Sequence, residues 1–203
     1  MTNERCYHGS IERLRSPERL SVLDVPRVLD YCLEGLHAAS VLDVGTGSGA
    51  FAEAFAGRGL QAAGVDVNPE MVEAARRFMP QARFEIAPAE ALPFPADSFD
   101  LVFLGLVLHE AGDALQALRE ARRVARLRVA ILEWPYDASE HGPPLEHRLR
   151  PDQIEDLSRQ AGFARLESVR LTHVVVYRMA CASEGSPAHR GGSGSSGASD
   201  VAA

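Results

Sequence analysis

Val41-Leu42-Asp43-Val44-Gly45-Thr46-Gly47-Ser48-Gly49 is an apolar run that ends in a turn with three glycines, and the amphipathic stretch Ala50 to Arg58 follows it. A short apolar run closed by glycines and succeeded by a helical pattern reads as strand, turn and helix. Glycine suits the turn because a Cβ would block either its dihedral angles or the approach of a ligand to bare backbone. Strand, glycine turn and helix together form the opening unit of a doubly wound α/β fold.

Outward from this unit, apolar runs alternate with amphipathic stretches, the pattern of a largely parallel sheet with crossover helices. Strands are expected at Val41 to Val44, Ala62 to Val67, Arg83 to Ala87, Leu101 to Leu106, Val129 to Glu133, Arg165 to Leu171 and Val174 to Met179. Helices are expected at Ser48 to Arg58, Pro69 to Phe78, Ala114 to Val124 and Pro151 to Ala161, with Asn68 before Pro69 as a helix start. A further helix is expected over Arg19 to Ala39, split or kinked at Pro26.

The chain has 203 residues, 46% of them hydrophobic, which fits one domain with a sizeable core. We divide it into an N-terminal helical region and lid (1–40), the main domain (41–181) and a Gly/Ser-rich tail (182–203) whose composition reads as disordered. The formal net charge of -7 argues against a broad surface for nucleic acid or anionic membrane, although Arg119, Arg122, Arg123, Arg126 and Arg128 cluster in sequence. Cys6, Cys32 and Cys181 have no paired spacing, so a reducing cytoplasm is the expected compartment. The longest apolar run, Leu101 to Leu108, is far shorter than the roughly 20 residues of a membrane helix, and no leader pattern opens the chain. A soluble protein without a membrane partner is expected; its oligomeric state is not legible.

Gly45, Gly47 and Ala50 also satisfy the permissive dinucleotide pattern G-x-G-x-x-G/A. Asp43 separates the readings: a dinucleotide brings a pyrophosphate that a nearby carboxylate repels, whereas S-adenosylmethionine brings an ammonium and a sulfonium. Asp66 closes the second strand, where a doubly wound fold presents an acid to a ribose diol.

Four segments in order, Val41 to Gly49, Gly64 to Met71, Ala89-Glu90-Ala91-Leu92-Pro93-Phe94 and Ser98-Phe99-Asp100-Leu101-Val102, resemble the successive motifs of class I S-adenosylmethionine-dependent methyltransferases, most closely the UbiE-like branch. The resemblance implies a Rossmann-like, seven-stranded, mostly parallel sheet with helices on both faces and the last strand antiparallel. It implies S-adenosylmethionine as cofactor, with Asp43, Gly45, Thr46 and Gly47 at the methionine end, Asp66 and Val67 at the ribose, and Met71, Ala89 and Glu90 around the adenine. The chain departs from that branch at Ala87-Pro88, where Gly-Asp is usual, and at Ala125-Arg126-Leu127-Arg128, where a Pro-Gly-Gly turn is usual before the fifth strand.

An acceptor is expected beyond the carboxyl ends of strands four and five. That places His109 as base or acceptor-positioning residue, with Glu133, Trp134, Tyr136, His141 and His147 as acceptor contacts and the Tyr7-His8 segment as part of a cover. These His and Glu residues, with Glu146, are also metal-ligand types, but they lack tight ligand spacing and no metal is expected. The expected function is methyl transfer to a small molecule. The competing readings are a non-catalytic S-adenosylmethionine-binding module and a nicotinamide-dependent oxidoreductase.

Overall fold

A computed structural model describes residues 10–181 of the chain. Three helices, α1 (Ile11–Leu14), α2 (Pro17–Val22) and α3 (Val25–Leu33), lead into β1 (Ser40–Val44), α4 (Ala50–Ala56), β2 (Gln61–Asp66), α5 (Pro69–Phe78), β3 (Arg83–Ile86) and β4 (Phe99–Gly105). Then follow α6 (Ala114–Val124), β5 (Ala125–Glu133), α7 (Pro151–Gln160), β6 (Glu167–Arg170) and β7 (Val175–Ala180).

The seven strands form one sheet in the order β3-β2-β1-β4-β5-β7-β6. The pairs β1–β2, β1–β4, β2–β3 and β4–β5 are parallel, while β7 runs antiparallel to both β5 and β6. The chain starts in the middle of the sheet, winds outward to β3, and returns beside β1 as β4. Ligand crevices of open α/β sheets lie at such a reversal, beyond the carboxyl ends of the strands.

The central strands are apolar on both faces because helices cover both. Side chains alternate between two cores: Leu42, Val44, Val102, Leu104 and Ile131 pack with α6 and α7, whereas Val41, Leu101, Phe103, Ala130 and Leu132 pack with α3 and Phe55 of α4. Local signals start the helices. The Asn68 side chain accepts from the Glu70 N–H at 2.9 Å with Pro69 in the first turn of α5, and Asp113 accepts from the Gln116 N–H at 2.9 Å at α6.

Two expectations are corrected. The helix expected over Arg19 to Ala39 is split in two, the end of α2 and α3: it breaks at Asp24, which has φ 49, so Pro26 falls in the first turn of α3, and α3 stops at Leu33 before Gly35 with φ 67. The segment Ala125 to Arg128 is no turn but the beginning of β5, entered directly from α6 with a register shift between Phe99 and Leu101. Its arginines have partners that make this possible: Arg128 donates to the carbonyls of Cys32 and Glu34 at 2.8 and 2.9 Å, and Arg126 pairs with Asp100 at 3.1 Å. Arg123, from the same basic cluster, donates to the carbonyls of Leu92 and Phe94 at 3.0 and 2.8 Å. The tail 182–203 and the Cys6 to His8 segment lie outside the described residues, and among those described no helix is long and apolar enough to cross a membrane.

Candidate functional site

The glycine turn is built by backbone conformations that side chains resist. Gly45, Gly47 and Gly49 have φ of 68, 53 and 81°, in the left-handed region. A Cβ on Gly45 would also stand 2.6 Å from Cγ2 of Val107, so this glycine lets the loop after β4 close against the turn after β1. Thr46 locks the turn to the sheet: its N–H donates to the Val65 carbonyl at 2.9 Å and its hydroxyl to Asp43 at 2.7 Å.

A cavity of about 710 Å³ opens at this end of the sheet, within the size range of cofactor sites. Gly45, Thr46, Gly47, Asp66, Val67, Met71, Ala89 and Glu90 all line it, together with His109, Trp134 and His147. The Asp66 carboxylate accepts from the N–H groups of Gly47 and Asn68 at 2.8 and 2.9 Å; burial raises its pKa, against the lowering effect of these backbone bonds. Glu90 reaches the far rim, accepting from the Asp113 N–H at 3.1 Å. Ser48 also lines the cavity with 1% exposure, and its hydroxyl has no hydrogen-bond partner among the described residues. A buried orphan hydroxyl is costly unless a ligand satisfies it.

Four expected site residues are placed elsewhere. Asp43 is turned away from the cavity: its carboxylate accepts from Thr46 and from the Ala52 N–H at 3.1 Å, bracing the turn against α4. Burial pushes its pKa up to about 7, against the lowering hydrogen bonds of Thr46 and Ala52. Glu133, 1% exposed, lies beneath His109 rather than on the wall. One of its oxygens accepts from the His109 backbone N–H at 3.1 Å and the other lies 2.7 Å from ring Nδ1. Burial works to lower the His109 pKa, but the charge and hydrogen bond of Glu133 outweigh it and hold the pKa above the ordinary histidine value.

Tyr136 and His141 are absent from the wall as well. Arg148 donates to the carbonyls of Pro135, Asp137, Pro143 and His141 at 2.9, 3.1, 2.8 and 2.6 Å, which gathers the 135–147 loop around one guanidinium. Gripping Pro135 and Asp137 leaves Tyr136 between them 42% exposed, and His141 meets the His173 ring edge to face at 4.6 Å. The same grip seats Gly142 on the Trp134 ring, where a Cβ would stand 2.6 Å from the indole. Among the described residues no group of three His, Cys, Asp or Glu is placed to hold a metal ion.

Sequence reasoning missed several wall residues. Leu14, Arg19, Leu20 and Leu23 of the N-terminal helices line the cavity, and a Cβ on Gly47 would lie 3.2 Å from Leu14. Arg15 ties α1 to the turn, donating to the Ser48 carbonyl at 3.0 Å, pairing with Glu53, and lying 3.9 Å over the Phe78 ring. The spacing of Leu20 and Leu23 is the one local signal that a helix face was turned inward.

A glycine turn after β1, an acid closing β2 and a cavity at the sheet's reversal mark a Rossmann-like cofactor-binding fold, of the kind found in class I S-adenosylmethionine-dependent methyltransferases. A family model described as a methyltransferase domain matches residues 42–130. The malonyl-[acyl-carrier protein] O-methyltransferase of Halorhodospira halophila is 35% identical over 181 residues, 80% of this chain and 57% of that protein. The uncharacterized methyltransferase YcgJ of Bacillus subtilis is 34% identical over 131 residues, 62% of this chain and 52% of that protein. A crystal structure of a SAM-dependent methyltransferase from Aquifex aeolicus is similar with a TM-score of 0.75 and 26% identity, over 85% of this chain and 97% of that one. Residues 42–130 thus carry a methyltransferase domain, and the fold is similar to that of S-adenosylmethionine-dependent methyltransferases. The chain spans little more than half the length of the first two of these relatives.

The cofactor of the family is S-adenosylmethionine, and the residues present fit it. The orphan Ser48 hydroxyl suits its amino-acid end, and the acceptor positions left on Asp66 suit its ribose diol.

Proposed function

We propose that this chain transfers the methyl group of S-adenosylmethionine to a small-molecule acceptor. The observation that carries the reading is that one cavity joins the glycine turn, with the unsatisfied Ser48 hydroxyl and the Asp66 carboxylate, to a second wall with His109, Trp134 and His147. When bound, the cofactor supplies an electrophilic methyl on a sulfonium.

The residues then divide the work. Gly45, Gly47 and Ser48 border the methionine end, Asp66 with Val67 takes the ribose, and Met71, Ala89 and Glu90 enclose the adenine. Asp43 acts at one remove, by holding Thr46 and α4. Because Pro88 is exposed and outside the wall, the adenine edge is met by backbone near Ala87 and Ala89. His109 faces the acceptor as its base, and Trp134 with the Gly142 to His147 segment forms the acceptor wall. Holding acceptor and methyl in near-attack geometry supplies much of the rate in such reactions. The free thiols Cys32 and Cys181 support a cytoplasmic setting.

Two measurements test the reading. Calorimetry is expected to show binding of S-adenosylmethionine and S-adenosylhomocysteine and none of NAD; tighter NAD binding would favour the oxidoreductase. Transfer of labelled methyl from S-adenosylmethionine into a pool of small metabolites is expected to yield a labelled product. Cofactor binding without any product would favour a non-catalytic binding module.

A further inference from the structure

The pair His109–Glu133 joins the carboxyl ends of two neighbouring strands. Glu133 is the last residue of β5, and His109 lies in the turn that follows β4. Both are buried, at 8% and 1% exposure, yet His109 alone reaches the cavity. One Glu133 oxygen accepts from the His109 N–H and the other lies 2.7 Å from ring Nδ1, so the carboxylate fixes the backbone of the turn and the rotation of the ring together. With the carboxylate as acceptor, Nδ1 is the donor in the 2.7 Å contact. In the neutral imidazole Nε2 then carries no proton. Nε2 lies 3.8 Å from a Glu110 oxygen, beyond hydrogen-bond distance. The charged groups around the ring are Glu133 from β5, Glu110 from the same turn and Arg148 from the 135–148 loop.

We propose that Glu133 is a positioning residue that holds His109 as the Nδ1–H tautomer, with bare Nε2 turned to the cavity to take the proton of a phenol- or enol-type hydroxyl acceptor. The inference rests on the methyltransferase reading above and narrows its substrate class. A base serves only an acceptor that must lose a proton as it is methylated. A carboxylic acid is already ionised at neutral pH, and a tertiary amine or thioether has no proton to lose. A phenolic hydroxyl, with a pKa of about 10, is within reach of an imidazole whose charged form is stabilised by a buried carboxylate.

The step balances without any further reactant. The hydroxyl proton passes to Nε2 as an oxygen lone pair forms the bond to the methyl carbon. The carbon–sulfur bond breaks with its electron pair left on sulfur. The products are the methyl ether, S-adenosylhomocysteine and imidazolium His109, whose charge faces the Glu133 carboxylate. Proton release to solvent resets the ring.

The first test needs no turnover. Long-range proton–nitrogen NMR of the full chain with ¹⁵N-labelled histidine, assigned with His109→Gln, is expected to show Nδ1 protonated and Nε2 bare at pH 8. In Glu133→Gln the tautomers are expected to mix and the His109 pKa to fall; if that variant fails to fold, Glu133→Asp serves. An Nε2–H tautomer in the wild type, or a titration unmoved by the substitution, overturns the positioning role. The second test identifies the product formed with labelled S-adenosylmethionine and a small-metabolite extract. A base-stable methyl ether is expected, with kcat about 100-fold lower in His109→Gln and Glu133→Gln and KM little changed. A base-labile methyl ester, a methylated amine or ammonium, a thioether, a sulfonium or a carbon-methylated product overturns the acceptor class. Absence of any product overturns the methyltransferase reading itself, while the NMR result still decides the role of Glu133.

Discussion

The Asp66 carboxylate accepts a hydrogen bond from the Gly47 N–H at 2.8 Å, so the last residue of β2 braces the turn that follows β1. Its other oxygen accepts from Asn68 at 2.9 Å at the start of α5. A carboxylate offers roughly four acceptor positions, so room remains for a ligand hydroxyl. Asp66→Ala is expected to weaken S-adenosylmethionine binding by about 1.5 to 3 kcal/mol, the range for hydrogen bonds to a charged group. Calorimetry measures it. Wild-type affinity in the variant would mean that the ribose is held elsewhere.

Gly45→Ala combines two penalties, a φ of 68° and a Cβ only 2.6 Å from Val107. Gly35 has nearly the same backbone, φ 67°, with nothing within 4 Å of its Cβ. Gly35→Ala is therefore expected to cost about 1 kcal/mol from strain alone, and Gly45→Ala about 1 to 3 kcal/mol more from the forced contact. Urea unfolding of the two variants checks the difference. Equal losses would show that Val107 moves aside freely.

Arg148→Met removes the guanidinium that gathers the carbonyls of the 135–147 loop. Loss of stability by at least about 2 kcal/mol and faster proteolysis within this loop are expected, because several buried carbonyls lose a charged donor together. Arg148→Lys is expected to rescue little, since a point-like ammonium cannot span the planar fork. A loop as resistant to protease in Arg148→Met as in the wild type would refute the role.

The Asp43 pKa is raised by burial to about 7 from an ordinary value near 3.8. Between those values the folded chain holds a proton that the unfolded chain has released, so Asp43 contributes stability at low pH that is lost as pH rises to about 7. The loss is on the order of a few kcal/mol across that window, and Asp43→Asn is expected to abolish it. Unfolding free energies of wild type and variant at pH 5 and pH 8 test the sign. Parallel pH dependence in both chains would show that the carboxylate stays ionised.

Element type and order were legible because periodicity and caps are local. Helix α5 spans Pro69–Phe78 as expected, since Asn68 and Pro69 mark its start in neighbouring positions. The first residues of β5 were not, because Arg126 and Arg128 look like turn residues until Asp100 and the carbonyls of Cys32 and Glu34 come within reach. Helix α1 carries too few residues for a periodic pattern, so Leu14 gave no sign that it covers Gly47.

The chain's order of residues alone determined the α/β class, the strand that enters a glycine turn, and an acid at the end of the second strand. Tertiary structure decided which side chains meet. Parallel pairing of β4 with β5 sets Glu133 under His109, 24 residues away in the chain, and makes it a partner of the ring rather than a wall of the cavity. It likewise turned Asp43 toward α4 and left Tyr136 in solvent through the grip of Arg148. Secondary structure follows from interactions within a few residues, whereas these contacts depend on strand order and register, which only the folded sheet supplies.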